Sequence, residues 1–429
     1  MTTITRFLAI ISMTICFCPE STLVYGATQA ADQTPTNSIE ALPRFAYVFS
    51  CGGKFVRINL ETGKYTTPAN LPTFASVRGD VDGCLIDSVV ADLHSPIIYA
   101  LSTKEIRVNE NGKDQYQILS IHLPDMKVVD SLDIGPPVSE VPRITLDVAR
   151  QELVAVYNAD TANGVASNDT VQFISLNVSG ALKRKHEETI SVLDDAEDGI
   201  GERPYFDKLG NLVDEDRIFS RDGSTVASID PYALLTPSVQ SRFQELKRRG
   251  VNGKQYLDVE FADSAAGWAA FIVGWDAGTN PSSAGGGIIV ADVENGETVS
   301  SFTTPFREAP YDATVGTPTV HLTRDGQKVL VEEYEWNKKR MGSPDSDAER
   351  TKTGKIAIYE ASSGTLLRTV ELIPQPGDSG QVIGFSPNSD VLLYSSSQVL
   401  YTVDLESGAS RTIPSERGFV PIGVIFSPE

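Results

Sequence analysis

The chain of 429 residues has few of the side chains that most often bind transition metals, with four cysteines and four histidines. None of the histidines lies within a metal-ligand spacing of another. The sequence also has no phosphate-binding loop of the Walker type and no dinucleotide fingerprint. We therefore predict no cofactor, with calcium as the single one left open.

Long apolar runs are also scarce, because only residues 7–17 near the N-terminus form one. Arg6 precedes this run and Pro19 ends it, so it is shorter than the roughly 20 residues of a membrane-spanning helix. A cation, a short apolar run and small residues are typical of a secretory signal. We predict a signal peptide over residues 1–30, a disordered linker over 31–43, and a secreted or periplasmic protein without a membrane span.

Basic side chains are outnumbered, with 36 Lys and Arg against 57 Asp and Glu and a formal net charge of −21. A surface of this sign repels phosphate backbones, which excludes nucleic acid as an expected partner. The charge agrees with an acidic and well-solvated exterior.

Short apolar runs with alternating polar residues recur along residues 44–429, separated by Gly, Asn, Asp and Ser. Five units share one layout of strand, polar turn, strand, variable connection, strand, tight Gly turn and strand; the clearest is FSPNSDVLLYSSSQVLYTVDLESGASRTI. Four strands per unit at spacings of about 40 to 60 residues are typical of propeller blades. We therefore predict one all-β propeller domain over residues 44–429.

The two ends of the domain complement each other. RFAYVFSCGGKFVRINLETGKYTT, at the N-terminal end, matches the second, third and fourth strands of a unit, and GVIFSPE, at the C-terminus, matches a first strand. We predict that they complete one blade, which closes the ring and removes exposed strand edges. RIFSRDGSTVASID supplies a degenerate unit, and Thr236, Pro237 and Gly250 delimit a predicted inserted helix near 236–249. This gives seven blades, with six or eight as alternatives.

The segment FSPNSDVLLYSSS followed by VLYTVDLESG resembles the WD40-like and YVTN-type repeats of secreted bacterial β-propellers. The repeat architecture is also distantly similar to the large-chain propeller of quinoprotein amine dehydrogenases. YTVDL, IVADV and AIYEA stand where WD40 proteins carry a Trp-Asp dipeptide, which argues against an intracellular adaptor. The resemblance implies the fold, and propellers carry many different functions.

One face of the predicted propeller carries long loops, and its opposite face carries tight turns such as TRDGQ, SPNSD, VENGE, ASSGT and LESGA. Because binding groups concentrate in loops on a rigid scaffold, we predict a binding site on the loop-rich face. Its candidate residues are two aromatic residues at loop roots and four loop carboxylates: Trp275, Trp336, Asp80, Asp82, Asp345 and Asp347. Asp80 and Asp82, like Asp345 and Asp347, are separated by one residue, but neither pair completes the sequence pattern of a calcium-binding loop.

Cys51 and Cys84 remain after removal of the signal peptide and fall on connections of adjoining blades. In an oxidising compartment such a pair predicts a structural disulfide.

Polar residues also occur on predicted first strands, which line the channel of a propeller. Asp258 and Glu260 lie on one first strand and His321 on the next. A solvated polar channel explains them, and a general base or a cation site is the functional alternative.

We predict a non-catalytic exported propeller that binds a protein, peptide or glycan through its loop-rich face, and no catalytic residues are assigned. The alternative is an exported propeller enzyme, either a lactonase-like hydrolase that uses channel carboxylates or a subunit of a quinoprotein dehydrogenase. We therefore expect a binding protein rather than an enzyme.

Overall fold

The computed structural model describes most of the predicted domain in segments. These are residues 44–50, 55–66, 86–91, 96–105, 114–123, 127–138, 142–147, 150–158, 169–176, 180–189, 205–207, 209–214, 217–220, 225–235, 256–276, 284–303, 319–336, 350–372, 380–396, 399–414 and 421–427, with residues 125, 237, 240, 241 and 419. The predicted signal peptide and linker lie outside these residues.

The described residues form seven four-stranded antiparallel sheets. Sheet 1 contains β28 (Pro421–Ser427), β1 (Phe45–Ser50), β2 (Phe55–Asn59) and β3 (Tyr65–Thr66). Sheet 2 contains β4 (Ile86–Ala91), β5 (Ile97–Glu105), β6 (Asp114–His122) and β7 (Lys127–Val138). Sheet 3 contains β8 (Arg143–Asp147), β9 (Glu152–Asn158), β10 (Asp169–Leu176) and β11 (Leu182–Thr189).

Sheet 4 contains β12 (Tyr205–Phe206), β13 (Leu212–Asp214), β14 (Arg217–Phe219) and β15 (Thr225–Ser228). Sheet 5 contains β16 (Tyr256–Ala265), β17 (Trp268–Asp276), β18 (Ala284–Asp292) and β19 (Glu297–Thr303). Sheet 6 contains β20 (Thr319–Leu322), β21 (Lys328–Trp336), β22 (Arg350–Glu360) and β23 (Leu366–Glu371). Sheet 7 contains β24 (Gln381–Phe385), β25 (Val391–Ser395), β26 (Val399–Asp404) and β27 (Ser410–Pro414).

Buried apolar clusters lie between successive sheets, and each cluster draws side chains from two of them. Ile98 of sheet 2 packs with Phe49 of sheet 1, and Leu101 of sheet 2 packs with Leu153 of sheet 3 on the other side. Similar clusters join sheets 3 and 4, 4 and 5, 5 and 6, and 6 and 7. Each sheet therefore buries both faces against its neighbours, which is how a propeller forms its core. The prediction of an all-β propeller is confirmed.

The two ends of the domain meet in sheet 1. β28 runs antiparallel to β1, with Ala46 opposite Phe426 and Val48 opposite Val424. A further cluster joins Leu393 of sheet 7 to Val48 and Phe426 of sheet 1. The C-terminal strand is thus the first strand of the sheet that contains β1, β2 and β3.

Tight turns between the third and fourth strands follow one geometry in four sheets. In each turn a glycine with a left-handed backbone donates its N–H to the carbonyl oxygen of the last strand residue. These glycines are Gly63, Gly296, Gly364 and Gly408, with φ values of 68°, 64°, 67° and 75°. The predicted tight turns TRDGQ, SPNSD, VENGE, ASSGT and LESGA each join two paired strands, which confirms them.

Sheet 4 is the least regular sheet. The strand pair predicted from RIFSRDGSTVASID is present as β14 and β15. Two shorter strands, Tyr205–Phe206 and Leu212–Asp214, complete the sheet. Of the predicted helix near 236–249, residues 237, 240 and 241 are described and are helical; the others lie outside the described residues.

Candidate functional site

His321 and Glu332 form a buried polar pair on the first two strands of sheet 6. His321 Nε2 lies 3.2 Å from Glu332 Oε1, and the two residues are 8% and 2% exposed. In the register of β20 and β21, His321 is opposite Leu330 and Glu332 is opposite Thr319, so the two side chains meet across a diagonal. An ionised carboxylate can only accept, so with Glu332 ionised the Nε2–H of His321 donates to it and Nδ1 is the basic ring nitrogen.

The pair faces sheet 7. Val320 and Leu322, on either side of His321, pack into the cluster with sheet 5, and side chains alternate along a strand. Leu330, opposite His321, belongs to the cluster between sheets 6 and 7. His321 was predicted as a polar residue of a solvated channel. It lies on the first strand as expected, but its side chain is largely buried beside Glu332.

Asp263 of sheet 5 is tied to the strand that carries His321. Its Oδ2 accepts the backbone N–H of Leu322 at 2.9 Å, and its Oδ1 accepts that of Ser264 at 3.0 Å. The residue is 6% exposed, so this carboxylate is buried. A buried carboxylate is tolerated when it accepts hydrogen bonds in this way.

Asp258 and Glu260 occupy β16, the first strand of sheet 5, as predicted. Asp258 is opposite Gly274 and Glu260 is opposite Ile272. β16 packs against β20, so both positions are on the strand next to that of His321. Their side chains lie outside the described part of the structure.

Trp275 and Trp336 lie near or at the ends of second strands, where the predicted long loops begin. Trp275 in β17 is opposite Leu257 and Gly285, and Trp336 in β21 is opposite Arg350. Their side chains are outside the described part. The remaining candidates also lie outside the described residues: Asp80, Asp82, Asp345, Asp347, Cys51 and Cys84.

A second histidine pair lies at the surface of sheet 2. His122 Nδ1 is 2.7 Å from Asp125 Oδ1, and both side chains are exposed. The hydrogen bond from His122 is the largest cause that holds the pKa of Asp125 below its usual value. The pair is far less buried than His321 and Glu332, which makes it a useful reference.

Within the described segments, no group of three or more His, Cys, Asp or Glu residues is arranged to hold a metal ion. The same segments contain no helix that is both long and apolar enough to cross a membrane.

Sequence reasoning missed Glu332 and Asp263. Glu332 is one of three glutamates in KVLVEEYEW, and only the register with β20 shows which of them reaches His321. Asp263 follows a β-bulge in β16, and this irregularity breaks the simple alternation of the strand.

Comparisons with known proteins identify no family for this chain. No protein-family model matches the chain, and no curated protein matches it. Among solved structures, the chain is similar to the periplasmic gluconolactonase PpgL of Pseudomonas aeruginosa, with 10% identity and a TM-score of 0.47. The alignment covers 89% of this chain and 98% of that one. The proposed similarity to amine dehydrogenase propellers and to WD40-like or YVTN repeats is not confirmed.

The matched structure is an enzyme, which contradicts the prediction of a non-catalytic binding propeller. At this level of identity it transfers neither a substrate nor a catalytic residue to this chain.

Proposed function

We propose that the protein is a propeller hydrolase that cleaves an ester or lactone bond, with His321 as general base and Glu332 as the group that orients it. The observation that carries this proposal is the 3.2 Å contact between the two buried side chains on the inner strands of sheet 6. A histidine held by a buried carboxylate is the arrangement that many hydrolases use to activate a nucleophile.

The chemistry needs only groups that this site and water supply. His321 Nδ1 removes a proton from water while the water oxygen forms a bond to the carbonyl carbon. The C–O bond to the leaving oxygen then breaks, and the imidazolium returns the proton to that oxygen. In a lactone the leaving alcohol stays attached to the product acid. Glu332 stabilises the imidazolium while it carries the proton.

Asp258 and Glu260 are proposed to contribute polar contacts to the substrate from the neighbouring first strand. Their strand packs against β20, which supports a shared site near the inner strands. Trp275 and Trp336, at the roots of two long loops, are proposed to contact the substrate from the loop side. The net charge of −21 favours an uncharged ester or lactone over an anionic substrate.

The proposed reaction uses no cofactor, and calcium binding by Asp80, Asp82, Asp345 and Asp347 stays a separate proposal. Calorimetric titration with calcium tests it directly. Binding that is lost when Asp345 and Asp347 are both replaced by Asn would support a site in that loop, and the absence of any heat of binding would reject it.

We also propose that the seven sheets are seven blades of one closed ring, and that residues 1–30 direct export to the periplasm or the medium. A disulfide between Cys51 and Cys84 is proposed for the exported chain. Mass spectrometry of the secreted protein tests the export signal and the disulfide. It should show an N-terminus near residue 31, and a non-reduced peptide that joins the two cysteines.

An activity panel tests the hydrolase proposal with p-nitrophenyl acetate, γ-butyrolactone and glucono-δ-lactone. General-base catalysis is worth about 10² to 10⁴ in rate, so His321→Gln should lose activity by such a factor. Glu332→Gln should lose less, because a neutral amide still contacts the ring. His122→Gln removes an exposed histidine and is the matched control, with wild-type activity expected.

Two results would reject the proposal. One is that none of the three substrates is hydrolysed faster than in buffer. The other is that His321→Gln, with an unchanged circular dichroism spectrum, hydrolyses the best substrate as fast as the wild type.

A further inference from the structure

β20, which carries His321, is a short strand that pairs on one side only. It comprises Thr319–Leu322, and within the described residues its single partner strand is β21. Short strands with one partner hold their position less firmly than strands inside a sheet. The exact placement of His321 therefore depends on what contacts the other edge of β20.

Asp263 contacts that edge. Along an antiparallel strand the backbone N–H groups point alternately to the two sides. The N–H of Thr323 donates to the carbonyl oxygen of Lys328, on the sheet side, at 3.0 Å. The N–H of Leu322 points to the opposite side, where the Oδ2 atom of Asp263 accepts it at 2.9 Å.

The carboxylate of Asp263 is itself fixed. Its Oδ1 atom accepts the N–H of Ser264, and the side chain sits where β16 departs from regular register, between Phe261 and Asp263. The bulge turns this side chain toward sheet 6, while Phe261 packs with the cluster between sheets 4 and 5. A rigid acceptor thus holds the residue directly after His321.

We propose that Asp263 is a positioning residue of the site, which fixes β20 so that the imidazole of His321 meets Glu332. This inference rests on the proposed function, because it assigns a role to Asp263 in the same reaction. Asp263 does not touch the reacting atoms and acts through the backbone of Leu322. Its expected influence is on the rate of the chemical step more than on substrate binding.

Asp263→Asn tests the inference, because the amide has the same shape but only one oxygen for the two N–H groups. Asp147→Asn is the matched control. Asp147 is also a buried aspartate on a first strand, in sheet 3, where it accepts the N–H of Arg150 at 3.1 Å and pairs with its guanidinium. Both changes should lower thermal stability, and only the change at Asp263 should affect His321.

The main measurement is ¹⁵N NMR of the histidine side chains, with the His321 signals assigned from their loss in His321→Gln. Asp263→Asn should move the His321 ring signals, and Asp147→Asn should leave them at the wild-type positions. For the best substrate, Asp263→Asn should lower kcat about 10-fold or more with KM within about 3-fold. If the variant does not fold, Asp263→Glu replaces it, with Asp147→Glu as control.

Unchanged His321 ring signals in folded Asp263→Asn would overturn the inference, whatever the activity. The two failures are distinguishable. If the wild type hydrolyses none of the substrates while the ring signals still move, the hydrolase proposal fails and the structural link from Asp263 to His321 stands. If the wild type is active and the signals do not move, only the positioning role is rejected.

Discussion

The guanidinium of Arg411 in sheet 7 donates a hydrogen bond from Nη1 to the carbonyl oxygen of Leu60, directly after β2 of sheet 1 and 2.6 Å away. The same nitrogen also donates to the carbonyl oxygen of Glu61. Arg411 lies on the last strand of its sheet and reaches the tight turn of the next sheet around the propeller. A side chain near the C-terminus thus contacts a turn near the start of the domain.

Related contacts recur at other junctions between sheets. A Cβ built on Gly408 would lie 3.5 Å from Cδ of Arg368, which is on the last strand of sheet 6. The equivalent atom on Gly364 would lie 2.5 Å from Cδ1 of Phe302, which is on the last strand of sheet 5. The outer strand of one sheet therefore packs on the turn glycine of the next, and this leaves no room for a larger residue at some of these turns.

Replacement of Arg411 by alanine should lower the stability of the protein. The change removes charge-assisted hydrogen bonds to two carbonyl oxygens, but the side chain is exposed, so we expect a loss of about 1 kcal/mol in the free energy of unfolding. Urea unfolding followed by circular dichroism measures it. Lys64→Ala removes an exposed cation from the turn that Arg411 contacts and should lower the urea midpoint of unfolding much less. Equal losses of stability from the two substitutions would mean that Arg411 acts only through its positive charge and not through the two hydrogen bonds.

Gly364→Ala and Gly296→Ala separate two costs at equivalent turns. Both glycines have a left-handed backbone, and alanine in that conformation costs about 1–2 kcal/mol. No atom lies within 4 Å of a Cβ on Gly296, whereas Phe302 fills that position at Gly364. Gly364→Ala should therefore destabilise the protein by about 1–3 kcal/mol more than Gly296→Ala.

Chemical denaturation of both glycine variants gives this difference directly. Equal losses of stability would contradict the close packing of Phe302 on the turn. The double variant Gly364→Ala, Phe302→Ala, compared with Phe302→Ala alone, provides the internal check. Removal of the ring takes away most of the close contact, so the cost of the alanine at position 364 should fall toward its cost at position 296.

Asp404 should make stability depend on pH in the acid range. The N–H of Ser407 is the largest cause that holds the pKa of Asp404 below its ordinary value of 3.8, and the Ser407 hydroxyl and Glu406 N–H contribute further. The pKa of Asp404 is lower in the folded state than in the unfolded chain. Its contribution to the free energy of unfolding is therefore complete above pH 3.8, and it is lost as the pH falls through the pKa of the folded state.

The measurement is the free energy of unfolding of wild type and Asp404→Asn between pH 2 and pH 7. The wild type should be the more stable protein at neutral pH, and the gap should narrow toward pH 2. Asp230→Asn, in a turn after sheet 4, is the comparison. A gap that stays constant over this range would show that Asp404 acts by its shape and not by its charge.

How far the sequence predicts this fold depends on the length and regularity of each strand. Long strands such as β21 and β22 contain the recognisable apolar runs VLV and IAIY, and the glycine turns between strands are visible as VENG, ASSG and LESG. Tyr205–Phe206 and Leu212–Asp214 are too short to show any period, so the first half of sheet 4 was missed. Packing against neighbouring sheets stabilises such short strands, and this packing cannot be predicted from the local pattern of apolar and polar residues.

The candidate site was predictable only in part. His321 was found because it is a rare residue on a first strand. Its partner Glu332 is 11 residues later in a strand with other acidic residues, and Asp263 is 59 residues away from the amide that it accepts. Both contacts depend on register and on a bulge, which are three-dimensional properties that the spacing of residue types does not contain.

Tyr205 should be a stabilising hydroxyl that does not ionise in the folded protein. Its oxygen accepts the N–H of Gly267 at 3.2 Å across the junction of sheets 4 and 5, and burial raises the pKa of Tyr205. Tyr205→Phe leaves that N–H without this acceptor, in a turn where Ala266 and Gly267 both have positive φ. We expect a loss of about 1–2 kcal/mol in the free energy of unfolding.

Urea unfolding measures the loss, with Tyr232→Phe as the matched control because that side chain is 50% exposed. An alkaline absorbance titration gives an independent test. The number of tyrosines that ionise before the chain unfolds should be the same in the wild type and in Tyr205→Phe, because Tyr205 stays protonated in the folded protein. If Tyr205→Phe is as stable as Tyr232→Phe, the hydroxyl of Tyr205 does not stabilise the junction of sheets 4 and 5. Water or a shifted turn would then satisfy the N–H of Gly267 equally well.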